Sequence, residues 1–166
     1  MKGRAAYWKI FASLLPVLLL MGLIFWFSAQ PAAESQAQSG QVLRVVEALL
    51  APFLDRLSRA DRLRALDVLT FLIRKVGHFT EYTLLGATLW VHLRQVSRVM
   101  VLKWAALWSW LAGTLYAATD EWHQLFVPGR DGRIWDVLLD SAGVLTGVLL
   151  TRVLVTWGSK GRSKRK

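Results

Sequence analysis

No cysteine occurs anywhere in the 166 residues. The chain therefore has no disulfide, no thiolate zinc site, no Cys nucleophile and no thioester-linked lipid anchor. Acidic residues are scarce, 11 Asp+Glu against 21 Lys+Arg, for a formal net charge of +10. Several motifs that would announce a reaction are missing too. There is no HExxH helix, no GxSxG elbow, no Gly-rich phosphate loop and no PSGH core of the lipid-phosphate phosphatases. No internal repeat and no second folded domain is visible, and the length suits about one domain. That domain is read as residues 1–157, followed by a basic tail at 158–166.

Apolar residues are abundant instead, 54% of the chain, with a mean hydropathy of +0.36. They are pooled in long blocks, which argues against both disorder and a soluble, basic nucleic-acid binder. Four blocks approach the length of about 20 residues that a helix needs to cross a bilayer. They cover residues 5–27, 76–93, 101–119 and 134–157. The second contains His78 and Glu81, and the fourth contains Asp136 and Asp140. Ionisable residues inside a span need protein or water around them. The first block resembles a signal peptide in its flanks, but its apolar run exceeds the usual signal core. It is read as a retained span. The expected fold is thus all-α, a bundle of four transmembrane helices with an amphipathic outer segment between helices one and two.

Charge sets the orientation. Twelve basic residues, at the N-terminus, in the turn around residues 94–103 and at the C-terminal end, have no acid among them, while the other nine share the opposite side with all eleven acids. Positive-inside counting then puts both termini in the cytoplasm. The tail GSKGRSKRK is a topology signal beside anionic headgroups. The mixed-sign outer side holds the polar chemistry.

The outer segment covers residues 28–73. Residues 31–40 are rich in Ala, Ser and Gln and read as irregular. Val42, Val45, Val46, Leu49, Leu50, Phe53, Leu54 and Leu57 follow helical spacing, with Pro52 expected to kink the helix. Ser58 and Asp61 resemble a capping box, opening a second helix that leads into span two. This segment is either a structural lid or one wall of a lipid site.

Three constellations meet on the outer side. In RKVGHFTEY, offsets of three and four place Arg74, His78 and Glu81 or Tyr82 on one helical face beside Lys75. In DEWHQLFVPGR, Asp120, Glu121, His123 and Gln124 end span three, Pro128-Gly129 makes a turn, and Arg130 is placed to bend back over the bundle, where Arg suits phosphate or carboxylate. Asp136, Asp140, Gly143 and Gly147 form one stripe on span four, acidic outside and small deeper in, where close helix packing is allowed. A stripe of Gly113, Ala117 and Asp120 or Glu121 matches it on span three. The two aspartates are expected to face Arg74, Lys75 or Arg130. Ser28 and Gln30 reach the same level.

Taken together, SAQ at 28–30, RKVGHFTEY at 74–82, DEWHQLFVPGR at 120–130 and the D-x3-D-x2-G-x3-G stripe from Asp136 resemble the VanZ-like family of small bacterial membrane proteins. The resemblance covers nearly the whole chain apart from the tail and much of residues 31–70. It implies a bacterial inner-membrane, cell-envelope role and a connection to teicoplanin resistance.

Three functions remain open. The first is a site for an anionic amphiphile, with Arg74, Lys75, His78, Glu81, Tyr82, Asp120, Glu121, Gln124, Arg130, Asp136 and Asp140 as its lining. Membrane lipid is then the partner, no cofactor is required, and Arg130→Ala should weaken binding while leaving the bundle intact. The second is a membrane hydrolase or transferase with His78 or His123 as base and Glu81 or Glu121 as acid or orienter. A metal-dependent form would draw on His78, Glu81, Asp120, Glu121 and His123, although the spacing assigns no metal set. The third is a structural or partner-binding protein whose clusters are buried ion pairs.

Overall fold

The computed structural model describes residues 2–96 and 102–163, with side chains for 8–96 and 104–157. Five helices follow in order: α1 Lys2–Ser28, α2 Ala32–Leu54, α3 Arg59–Val96, α4 Leu102–Gln124 and α5 Ile134–Ser163. No strand is present among the described residues. Helix α3 is the organising element, packing against each of the other four. Arg98, Lys103 and the tail, which enter the charge count, lie outside the described side chains.

The α3–α5 seam is built from small residues. A Cβ on Gly86 would collide with the Val144 carbonyl oxygen, and one on Gly147 with that of Thr83. Neither position has space for a methyl group, so the two backbones touch as the Gly stripe of span four requires. Gly113 on α4 receives the Val144 side chain from the other side. Around this contact lie Ile24, Tyr82, Leu85, Trp90, Ala117, Val144 and Val148, all essentially inaccessible.

Helix α1 is tied into the bundle by polar contacts along its length. Ser13 hydrogen-bonds with His92 at 3.0 Å, and the Tyr116 hydroxyl donates to the Met21 carbonyl at 2.6 Å. At its C-terminal end Ser28 donates to Asp120 at 2.7 Å.

One expectation for the outer segment is corrected. Residues 32–40 are helical, since α2 starts at Ala32, directly after Pro31. Proline is well suited to a helix entrance because its missing N–H costs nothing there. Pro52 lies in the final turn, and the helix ends two residues later at Leu54. Ser58 does open α3: its hydroxyl accepts from the Asp61 N–H at 3.2 Å and donates to the Asp61 carboxylate at 2.7 Å. From there α3 runs unbroken through the second block. Arg62 staples α2 to α3 through Glu47 at 2.9 Å and Asp55 at 3.0 Å.

Two stretches have the length and apolarity to cross a membrane: Trp8–Ser28, with mean hydropathy 2.5, and Ile134–Trp157, with 1.7. The blocks at 76–93 and 101–119 do not meet that measure among the described residues. In α3, His78, Glu81 and several threonines dilute the window. In α4, tryptophans and hydroxyl residues do so, although they hydrogen-bond inside the bundle: Trp110 donates to Ser141 at 3.0 Å and Thr114 pairs with the same hydroxyl at 2.8 Å. All five helices nonetheless expose large apolar side chains, among them Trp8, Leu49, Leu84, Leu115 and Leu154.

Candidate functional site

The polar residues picked out in the sequence separate into two sites that share His78. The outer one is a groove of about 710 Å³ between α2 and α3, closed at one end by α1 and the α4–α5 loop. Its walls include Val42 and Val46 from α2, Leu69, Leu72 and Ile73 from α3, and Phe27 from α1, with Ser35, Gln38 and Ser39 adding a polar strip. Arg74, His78, Glu81 and Arg130 gather in it.

Arg130 reaches the groove through the expected turn. Gly129 has φ +73°, a conformation glycine adopts without strain, and the Pro128 carbonyl accepts from the Ala32 N–H at 3.1 Å, fastening the loop to the start of α2. The guanidinium then donates to the Gln30 and Phe27 carbonyls, both at 2.8 Å. Phe27 is in the last turn of α1, whose carbonyls lack a partner within the helix, and Gln30 lies two residues beyond its end. Arg130 is therefore also a tie to the C-terminal end of α1, so its loss is expected to cost some stability as well as binding. Burial pulls its pKa below the ordinary value and the nearby Arg74 adds to this, opposed by Asp120, Glu121 and Glu81. Neither Arg74 nor Arg130 forms an ion pair among the described residues. Two cations thus share one partly desolvated recess, with only carbonyl oxygens bonded to one of them.

The inner site is a buried acidic layer between α3, α4 and α5. Asp120, Glu121, Gln124 and Asp140 are all buried, Asp140 completely. Gln124 donates to Asp120 and Glu121, both at 3.3 Å, and the Arg133 N–H donates to Glu121 at 3.0 Å. Lys75 and Asp136 form an ion pair at 2.5 Å on its margin. The expectation of a Lys or Arg opposite Asp140 is corrected. Asp140 faces His78, with Nδ1 3.8 Å from a carboxylate oxygen. One ligand atom each from His78, Glu121 and Asp140 lies within 4.8 Å of the others, a grouping able to hold a metal ion.

Tyr82 and His123 stand outside the groove, and both act on Asp120 of the inner layer. Tyr82 is fully buried, with its ring 6.3 Å from that of Tyr116, and does not line the groove. His123 packs on Phe25 of α1, with ring centroids 4.7 Å apart. The sequence reading misses the wall from Ser35 to Ser39, whose i, i+3, i+4 spacing is the available signal, and the Arg133 N–H, which no side-chain pattern reports.

These features define a small all-α protein with an apolar exterior, a cationic groove and a buried acidic layer. The model of the VanZ/LLP1 family matches residues 13–155. The chain belongs to that family. No curated protein and no solved structure matches it.

Proposed function

We propose that this protein is a multi-pass inner-membrane component of the bacterial cell envelope that binds an anionic amphiphile in the α2–α3 groove. In this reading α1, α4, α5 and the second half of α3 cross the membrane, both termini are cytoplasmic, and α2 lies along the outer interface. The exterior supports it. Soluble monomers rarely expose contiguous apolar patches beyond a few hundred Å², whereas here every helix presents large apolar residues outward. The ties from α1 to α3 and α4 support retention of the first span, since Ser28 and the carbonyls held by Arg130 are part of the site. Membership of the VanZ/LLP1 family supports an envelope role and a link to glycopeptide resistance.

One observation carries the ligand class. An apolar trough of about 710 Å³ ends at two arginines that have no carboxylate ion partner among the described residues. An acyl or isoprenoid chain fits the trough, and a phosphate or carboxylate satisfies the guanidiniums by charge-assisted hydrogen bonds. Glu81, at the same end, suits a hydroxyl donor on the headgroup.

The test is native mass spectrometry of the full chain released from nanodiscs of mixed phosphatidylglycerol and phosphatidylcholine. Wild type is expected to retain phosphatidylglycerol selectively, and Arg74→Gln to lose that selectivity. Equal retention of both lipids by wild type would overturn the reading.

A further inference from the structure

We propose that His78, Glu121 and Asp140 form a divalent-metal site, reached from the groove through His78, that takes a zinc-class ion. Each ligand comes from a different helix, α3, α4 and α5, and their donor atoms lie within 4.8 Å of one another. At zinc–ligand distances of about 2.0–2.2 Å, donors on one ion sit roughly 3–4 Å apart. An inward adjustment of about 1 Å, within the reach of the His78 and Glu121 side-chain torsions, closes the set on one ion.

The second observation is what the residues lack. Asp140 is 0% exposed, and among the described residues neither of its carboxylate oxygens has a hydrogen-bond partner, nor has His78 Nδ1. A buried carboxylate without a donor is strongly unfavourable, so a native fold supplies it with a counter-charge or a proton. Among the described residues Asp140 has no Lys or Arg ion partner. Glu121, Asp120, Asp136 and Lys75 are the charged groups acting on Asp140, and Lys75 is already paired with Asp136. Around His78 stand Lys75, Arg130, Arg74 and Asp136, together with Asp140 and Glu121 of the same cluster.

The donor set fits the ion. One imidazole and two carboxylates without thiolate suit zinc or its neighbours better than copper(I) or an iron–sulfur cluster. Three protein ligands leave a fourth position for water or for an oxygen of a bound anion, the arrangement of reactive zinc sites. Outer partners are in place as well. The Arg133 N–H and Gln124 each donate to Glu121, at 3.0 and 3.3 Å, which fixes the carboxylate's orientation. The site does not depend on the amphiphile reading: Arg74 and Arg130 are not ligands.

The experiment is a zinc titration of the EDTA-treated full chain in nanodiscs by isothermal calorimetry at neutral pH. One equivalent is expected to bind. Asp140→Asn and His78→Ala should each weaken it at least tenfold, while His92→Ala, on the other half of α3, leaves it unchanged. X-ray absorption of zinc-loaded wild type gives an answer even where a variant fails to fold. One imidazole with oxygen neighbours is expected. No stoichiometric zinc in wild type, undiminished affinity in Asp140→Asn, or a spectrum with two imidazoles or none would overturn the assignment. Arg74→Gln is expected to bind zinc as wild type does, so the two readings fail separately.

Discussion

Helix α3 presents two contrasting sides. Toward α5 it offers Gly86, where the partner backbone comes so close that a methyl group would collide with the Val144 carbonyl oxygen. Toward α2, about two and a half turns earlier, it offers Gly77, which lines the groove and would have nothing within 4 Å of an added methyl group. The same residue type therefore serves closure on one side and openness on the other. The seam holds the fold together, and the groove is space that the seam's rigidity keeps available. A packed interior answers to small volume changes, whereas a partly exposed groove can change side chains without disturbing the bundle.

The largest stability effect follows from that contrast. Gly86→Ala is expected to destabilise the protein by about 3 kcal/mol, the upper end of overpacking costs, because backbone has to move. Thermal unfolding in nanodiscs would measure it. A loss under about 1 kcal/mol, the lower end of those costs, would mean that the seam can relax around a methyl group. Gly77→Ala should move the other way, gaining about 0.5–1 kcal/mol from helix propensity alone. The pair is the sharpest test of the two-sided helix.

Next in size is the polar join between α1 and α4. Ser28→Ala removes the hydroxyl that donates to buried Asp120 at 2.7 Å. Leaving a buried carboxylate short of a donor costs about 1–3 kcal/mol. The Asp120→Asn, Ser28→Ala double variant should recover part of that, since the uncompensated charge is gone. Chemical denaturation of the four proteins in a double-variant cycle checks the coupling.

Much of this is legible in the sequence. The helices inside the apolar blocks, the Ser58 cap, the Gly stripe, the turn at Gly129 and the return of Arg130 all follow from local spacing, and local spacing is what a helix preserves. The acidic residues of DEWHQ read as one layer, but their partners do not. Asp140 meets His78 rather than an arginine because the meeting is decided by how deeply α5 sinks into α3, a tertiary distance with no periodic signature. The helicity of residues 32–40 escapes a pattern reading because Ala, Ser and Gln carry no hydrophobic stripe. What holds that stretch is the Pro31 entrance and the tie from Ala32 to Pro128, a contact 96 residues apart in sequence. A groove wall is one of the two roles the sequence leaves open for the outer segment, while its polar strip from Ser35 to Ser39 has no such forewarning.

Arg130 stands between the two sides. Its loss removes two hydrogen bonds at 2.8 Å, one to the Phe27 carbonyl in the last turn of α1 and one to the Gln30 carbonyl just beyond it, and is expected to cost about 1–2 kcal/mol, because the freed carbonyls regain some water. Arg130→Lys should restore only part, as an ammonium lacks the planar fork that reaches both Gln30 and Phe27. Unfolding midpoints that rank wild type above Lys above Ala would support the role as a tie. Equal midpoints would remove it.

The smallest stability effect belongs to the residue with the largest expected effect on binding. Arg74 is exposed at the groove, is bonded to no carboxylate among the described residues, and lies near Arg130 and His78. Replacing it removes a like-charge neighbour from Arg130 as well as a solvated side chain, so Arg74→Gln is expected to leave stability within about 0.5 kcal/mol of wild type. If Arg74 instead held the fold, the midpoint would fall with it. Binding of an anionic amphiphile should respond in the opposite proportion, since a charge-assisted contact to phosphate is worth about 1.5–3 kcal/mol, which is roughly a ten- to hundredfold loss of affinity. Unfolding and lipid retention measured on the same preparation separate the two. A variant that unfolds like wild type yet no longer selects phosphatidylglycerol places Arg74 on the open side of α3, where substitution changes what the protein holds and leaves what holds the protein untouched.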